Sequence, residues 1–218
     1  MLDRRLTGEP LAWITGTTLF CGLTVAVEPG VYVPRWQSES LARMAADLLP
    51  HDGLAVDLCA GSGAIAMVLQ ITKPRARVIA TDLDPLAVRC ARRNGVEVLE
   101  GDLDGPLPAT IASKVDVMVG VLPYVPTDAL GLLPHDVLEF EPVGALDGGK
   151  GGLGVVSRAV ERSLRWIREG GWLLFETGSD QIRPAFDLFV KSGYEDIGVI
   201  EDGDGDPRGV YGRRSVAR

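Results

Sequence analysis

Leu54-Ala55-Val56-Asp57-Leu58-Cys59-Ala60-Gly61-Ser62-Gly63-Ala64 is the stretch on which the fold turns. Its first five residues form a short apolar run broken by Asp57 alone, the pattern of a strand buried on both faces. Gly61-Ser62-Gly63 ends the run. Glycine accepts the left-handed backbone of a tight strand-to-helix turn and lets a ligand approach the main chain closely. Ala64 to Gln70 then reads as helix. Strand, glycine turn and helix open a βαβ unit, and the rest of the chain continues the alternation.

Upstream, Leu41, Met44, Ala45 and Leu48 recur at helical spacing, opened by Gln37 or Ser38 and stopped at Pro50. Downstream, Arg77 to Thr81 reads as a strand. Asp84 is then a good N-cap, Pro85 suits the first helical position, and Asn94-Gly95 suits the C-terminal end. Val96 to Leu99 and Val115 to Val121 are further strands. Leu153, Val156, Val160, Leu164 and Ile167 step by three or four, which predicts a helix ending at Gly170-Gly171. Trp172 to Phe175 is a strand, and Ile182, Phe186 and Phe189 mark a helix ending at Gly193. The last two strands, about 194–200 and 209–217, are joined by Glu201-Asp202-Gly203-Asp204-Gly205-Asp206-Pro207, which leaves no room for a helix. They should pair as an antiparallel hairpin at the end of an otherwise parallel sheet. The expected fold is α/β, Rossmann-like and doubly wound, with helices on both faces. Residues 1–36 fall outside the alternation and are expected to form a small β-rich lid or extension, leaving 37–218 as the main domain.

The chain has 218 residues and a formal net charge of −8. Its basic clusters, Arg4-Arg5, Arg92-Arg93 and Arg213-Arg214, are short pairs that read as solvated surface, so nucleic acid is not an expected partner. Three cysteines (Cys21, Cys59, Cys90) and two histidines (His51, His135) offer no metal-ligand spacing, and no metal is expected. Met1 is followed directly by Leu2-Asp3-Arg4-Arg5. No apolar run reaches the length of a membrane span, so the expected setting is cytoplasmic, without a signal peptide.

Ligands of open α/β sheets sit beyond the carboxyl ends of the strands. Four positions qualify: Asp57 with Ala60, Gly61 and Gly63; Asp82; Asp102 in Glu100-Gly101-Asp102-Leu103; and Pro123-Tyr124. Gly61-Ser62-Gly63-Ala64-Ile65-Ala66 alone also fits a dinucleotide fingerprint. Asp57 tilts the choice, because it would repel a pyrophosphate and attract a sulfonium or an ammonium. Singly, Asp82 reads equally as a loop cap and Asp102 as a turn residue. Together with Asp57 they suit a cationic nucleoside, S-adenosyl-L-methionine.

The motifs resemble those of the protein-(glutamine-N5) methyltransferases that modify release factors and a ribosomal protein, and most closely a paralogous group of unknown substrate. The resemblance runs through Arg5 to Gly16, Phe20-Cys21-Gly22-Leu23, Pro29 to Arg35, the Asp57 to Ala66 motif and Thr81-Asp82-Leu83-Asp84-Pro85. It continues through Pro123 to Leu130, Glu141-Pro142 and Ala145-Leu146-Asp147-Gly148-Gly149. It implies a class I methyltransferase with a seven-stranded sheet whose last strand is antiparallel. It also implies that Asp57, Ala60, Gly61, Gly63, Asp82 and Asp102 bind S-adenosylmethionine and that Leu83 flanks the adenine.

One departure matters. The family carries Asn-Pro-Pro-Tyr after the fourth strand, where the Asn oxygen and the next carbonyl accept both hydrogens of the acceptor NH2. Here the motif is Val121-Leu122-Pro123-Tyr124. A buried amide would lose a hydrogen bond, at a cost of about 1–3 kcal/mol. Three readings follow. In the first, the acceptor is a flat, largely apolar small molecule, an indole or another aromatic nitrogen or carbon nucleophile, as in natural-product tailoring. Val121, Leu122, Pro123, Tyr124, Tyr32, Trp36 and Trp13 would line its pocket, and Tyr124, Glu141 or Glu39 (or Glu139) would take a proton. Trp13 and Trp36 read equally as lid packing, and His135 as surface. In the second, the chain methylates a protein glutamine, with another group replacing the lost acceptor. In the third, it binds the cofactor without catalysis. The expected partner is a small-molecule acceptor ahead of a protein, and a homodimer is one of the oligomeric states the sequence allows.

Overall fold

The computed structural model describes residues 1–216, so residue 217 of the expected last strand lies outside the described residues. The chain opens with α1 (Leu2–Leu6) and α2 (Leu11–Thr15), which ends on Gly16 with a left-handed φ of 78°. A hairpin follows, β1 (Thr17–Phe20) and β2 (Leu23–Ala26), with Thr17 opposite Ala26. Residues 1–36 thus combine two short helices with one hairpin. The segment is packed onto the body. Phe20 and Val25 are buried in the main core, while Trp13, Val27, Val31 and Val33 pack around Ala87 and Cys90.

The alternation then runs as α3 (Glu39–Leu48), β3 (Leu54–Leu58), α4 (Ala64–Thr72), β4 (Arg77–Asp82), α5 (Pro85–Arg93), β5 (Glu97–Glu100) and β6 (Val115–Gly120). It ends with α6 (His135–Phe140), α7 (Gly154–Ser163), β7 (Ile167–Glu176), α8 (Ile182–Lys191), β8 (Tyr194–Glu201) and β9 (Pro207–Arg214). Among the described residues the large sheet has seven strands in the order β5-β4-β3-β6-β7-β9-β8. Strands β3 to β7 are parallel, and β9 is antiparallel to both of its neighbours. This is the class I methyltransferase sheet. Apolar residues of α3, α4 and α5 cover one face, around Leu41, Leu69 and Val88; those of α7 and α8 cover the other, around Val160 and Phe189.

Local signals hold where they are strongest. The Asp84 carboxylate accepts from the Leu86 N–H at 2.8 Å, and Pro85 is the first residue of α5. Asn94 caps its end and also ties β2 to the glycine turn: its Nδ2 donates to Ala26 O at 2.9 Å and to Ser62 O at 2.8 Å. The helix expected to run through Ile167 instead stops at Ser163, and Ile167 begins β7. Gly170 and Gly171 lie inside that strand, where the pairing with β6 slips from Val115↔Ile167 to Val117↔Trp172. A Cβ on Gly171 would sit 2.9 Å from Val115 O and 3.0 Å from Asp116 O, so this glycine serves a bulge, not a helix cap.

The strand order reverses between β3 and β6, and the carboxyl tips of β3, β4, β6 and β7 therefore surround the crevice where ligands of such sheets bind.

Candidate active site

That crevice is a cavity of about 250 Å³ lined by Asp57, Asp82, Asp102, the Ala60-Gly61-Ser62 turn, Val121, Pro123 and Tyr32. Asp57 is 1% exposed. Its Oδ2 accepts from the Ala66 N–H at 3.1 Å in the first turn of α4, and its Oδ1 has no partner among the described residues. Burial pushes its carboxyl up to about 8 against the pull of the Ala66 N–H. An unpaired buried carboxylate oxygen facing a cavity suits a cationic or N–H-bearing ligand.

Asp82 is held at both oxygens. Oδ2 accepts from Gly61 N–H at 2.7 Å and Oδ1 from Asp84 N–H at 2.9 Å. Burial raises its pKa, and these backbone donors oppose the rise. The left-handed Gly61 (φ 57°) aims its N–H at this carboxylate. Leu83, 67% exposed, forms the rim. Gly63 is not part of the lining. It is left-handed (φ 81°), and a Cβ there would meet Val96 Cγ2 at 2.8 Å and Ala91 Cβ at 3.2 Å, so it lets α4 pack on α5. Asp102 lines the cavity but is engaged: Arg158 of α7 donates to both its oxygens at 3.1 and 3.2 Å. The acids fit S-adenosylmethionine. The unpaired oxygen of Asp57 and the fixed Asp82 would hold its cationic and hydroxyl groups, and the donor supplies an electrophilic methyl on sulfur when bound.

On the acceptor side the expected residues divide. Val121, Pro123 and Tyr32 line the cavity. The Arg35 guanidinium stacks 5.0 Å from the Tyr32 ring, and burial pushes that phenol up to about 12. Leu122 does not line it: at 1% exposure its side chain belongs to the core on the opposite face of the sheet. Trp13 lies outside the lining and packs as the lid alternative expects, with Nε1 donating to Val31 O at 2.9 Å and the ring edge-on to Phe140 at 6.2 Å. Trp36 is 55% exposed, stacks beside Arg208 and lies outside the lining.

The four proton acceptors expected from the sequence do not converge. Glu39 accepts from Cys21 N–H at 2.9 Å and pairs with Arg43, which anchors the β1–β2 turn. Glu141 is buried against Arg35 and borders a second cavity, beside α2 and α6. Tyr124 is a donor: its hydroxyl gives a 2.9 Å hydrogen bond to Glu176 Oε1. Burial, then the charge of Glu176, raises its pKa beyond the usual tyrosine range. Glu139 pairs with His135 on the surface of α6.

Sequence reasoning missed Glu176, Ser38, Arg158 and Gln181. Glu176 caps β7, is 3% exposed, and keeps Oε2 without a partner among the described residues. Gln181 Nε2 donates to Tyr124 O at 2.7 Å and to Gly151 O at 3.0 Å, pinning the loop after β6. The available signal was the polar run Glu176-Thr177-Gly178 directly after an apolar strand, the same signature that marks Asp82. Among the described residues no group of His, Cys, Asp or Glu comes together as a metal site, and no helix is long and apolar enough to cross a membrane.

The family described as "Methyltransferase small domain" matches residues 22–102. The chain is 36% identical over 219 residues to the release factor glutamine methyltransferase of Geobacter sulfurreducens, covering 98% of this chain and 76% of that protein. It is 38% identical to the Mycolicibacterium smegmatis enzyme of the same name, covering 96% and 76%. It is also 39% identical over 202 residues to the 4-amino-L-phenylalanine/4-methylamino-L-phenylalanine methyltransferase of Streptomyces pristinaespiralis, covering 87% and 68%. Among solved structures, the hMettl16 catalytic domain bound to MAT2A 3'UTR hairpin 1 superposes with a TM-score of 0.69 at 13% identity, covering 97% of this chain and 90% of that one, a likeness of fold alone. With 36% and 38% identity to these two enzymes over 98% and 96% of its length, the chain belongs to the release factor glutamine methyltransferase family and is an S-adenosylmethionine-dependent methyltransferase.

Proposed function

We propose that the chain methylates a planar NH2 nitrogen, and that this nitrogen belongs to the side-chain carboxamide of a glutamine in a protein. The observation that carries the reading is the extent of similarity to release factor glutamine methyltransferases, 36% identity over 98% of the chain. The pinned Pro123-Tyr124 loop beside the cofactor acids supports it. Methyl transfer from a sulfonium is an in-line displacement, so holding the nitrogen's lone pair in line with the methyl supplies most of the help. The rigid loop, the Tyr32 wall and Val121 are placed to do that.

A second reading keeps the flat small-molecule acceptor and narrows it to an aromatic amine. Val121 favours it, because the wall there is apolar. So does the relative that acts on 4-amino-L-phenylalanine. Both acceptors present a planar NH2.

The test incubates the pure protein with methyl-labelled S-adenosylmethionine and, separately, a Gly-Gly-Gln peptide, 4-amino-L-phenylalanine and indole. Label on the glutamine nitrogen is the expected result. Label on the aromatic amine alone moves the assignment to the second reading, and label on indole carbon contradicts both.

A further inference from the structure

The residues that follow the sheet's register reveal a group that the family motif does not supply. Asp57 pairs with Val119 and Ala80, and Val119 pairs with Leu174. Side chains two apart share a face, and in-register neighbours of parallel strands point the same way. Asp82, Val121 and Glu176, each two residues further on, therefore rise from that same face as Asp57. Asp57 and Asp82 are the cofactor acids. Glu176 does not itself line the cavity: it stands beyond Val121 from those two acids and against Ser38, which does line it, on the side where an acceptor lies if the donor lies over Asp57 and Asp82.

Two polar atoms there have no partner among the described residues, Glu176 Oε2 and Ser38 Oγ. Both residues are 3% exposed. Ser38 lines the cavity, and its hydroxyl lies close enough to the Glu176 carboxylate to pull that group's pKa down, yet its angle leaves both Ser38 Oγ and Glu176 Oε2 short of a well-formed hydrogen bond. The other oxygen of Glu176 is already taken by Tyr124 at 2.9 Å. The charged and titratable groups facing Glu176 are Tyr124, Tyr32 and Arg208. Arg208 is committed to Asp202 and Asp206. A buried acceptor left unpaired costs about 1–3 kcal/mol. A ligand N–H removes that cost, and an NH2 group has two hydrogens for two unfilled oxygens.

We propose that Glu176 is a catalytic residue for an NH2-bearing acceptor: its Oε2 accepts one N–H of the acceptor, Ser38 Oγ accepts the other, and Glu176 takes the proton the nitrogen sheds. The inference rests on the planar-NH2 reading above. In the step, the nitrogen lone pair forms the N–CH3 bond, the S–CH3 bond breaks with its electron pair left on sulfur, and one proton passes from nitrogen to Glu176 Oε2. Burial raises the Glu176 pKa, against the pull of Ser38, Tyr124 and Arg208, which makes the carboxylate a better base than an exposed one.

The test compares wild type with Glu176→Gln, each loaded with S-adenosylhomocysteine and titrated calorimetrically with 4-amino-L-phenylalanine and with the Gly-Gly-Gln peptide. The pH dependence of binding and of kcat/KM is recorded alongside. The expected result is a roughly ten- to hundred-fold loss in kcat/KM, weaker acceptor binding, an unchanged Kd for S-adenosylhomocysteine, and loss of the low-pH limb. Wild-type acceptor binding should fall as pH drops through a midpoint above the ordinary glutamate range. If Glu176→Gln does not fold, that wild-type profile decides, and a profile flat down to the ordinary range overturns the proposal. Equal acceptor binding and an equal pH limb in the two proteins overturn it alone. A wild type that binds neither probe overturns the planar-NH2 reading and this assignment with it.

Discussion

Val121 and Glu176 stand side by side at the tips of β6 and β7, one register step beyond the Gly120↔Phe175 pair. Val121 has no polar atom, and Glu176 holds a buried carboxylate oxygen without a partner among the described residues. The pair makes an apolar wall next to a single strong acceptor. Val121→Asn adds an amide oxygen to that wall. By placing a polar group on the apolar wall, it should lower transfer to 4-amino-L-phenylalanine relative to a Gly-Gly-Gln peptide by about tenfold. The ratio of label in the two acceptors measures this; a ratio left unchanged would show that residue 121 does not touch the acceptor.

Asp57 links the site to pH. Burial lifts its folded pKa to about 8, far above the ordinary aspartate value of 3.8, so between those two values the folded protein holds a proton that the unfolded chain releases. The stability this contributes is fully present below the unfolded value and is lost as pH rises through about 8. Thermal melts of the ligand-free protein should therefore fall across that window, and Asp57→Asn should flatten the fall while weakening cofactor binding. Asn keeps an oxygen for the Ala66 N–H. A variant whose melting profile falls like wild type would place the titration elsewhere.

The two N-terminal tryptophans should behave differently. Trp13 is buried, with its indole N–H bonded to Val31 O, and Trp13→Ala should cost about 3–5 kcal/mol of stability. Trp36 is exposed and meets Arg208 by a cation–π contact, so Trp36→Ala should cost about 0.5–1 kcal/mol. Denaturant melts give both values. A Trp36→Ala variant that keeps its stability but loses acceptor affinity would return that residue to the binding site.

Gly152 governs the loop after β6. It is left-handed (φ 76°), and a Cβ there would collide with Tyr124 O and Gln181 Nε2. Gly152→Ala should thus displace the Pro123-Tyr124 wall and depress methyl transfer about tenfold or more, with the S-adenosylmethionine Kd little changed. Equal losses in cofactor binding and transfer would mean that the loop supports the whole crevice.

What was legible in the sequence was local. Asp84-Pro85 announces a helix start because the cap and the proline act within one turn, and Gly61-Ser62-Gly63 announces a ligand turn because it interrupts an apolar strand. Gly170-Gly171 misled because a glycine pair after apolar steps looks like a helix end, whereas backbone oxygens of a strand distant in sequence decide its conformation. The acceptor side was less readable for the same reason. Tyr124, Glu39 and Glu141 carry the right chemistry, but Glu176, Cys21 with Arg43, and Arg35 respectively occupy them. Glu176 itself looks like an ordinary polar residue after a strand until Ser38, Tyr124 and the sheet enclose it.

Titration of S-adenosylmethionine into wild type and Asp82→Ala tests most directly whether acids at the strand tips hold the donor. Asp82 carries the Gly61 N–H on one oxygen and the Asp84 N–H on the other. Its loss should weaken binding by about a hundred-fold, with a far-ultraviolet spectrum like wild type. An unchanged Kd, or tight binding of a nicotinamide dinucleotide in place of S-adenosylmethionine, would contradict the account.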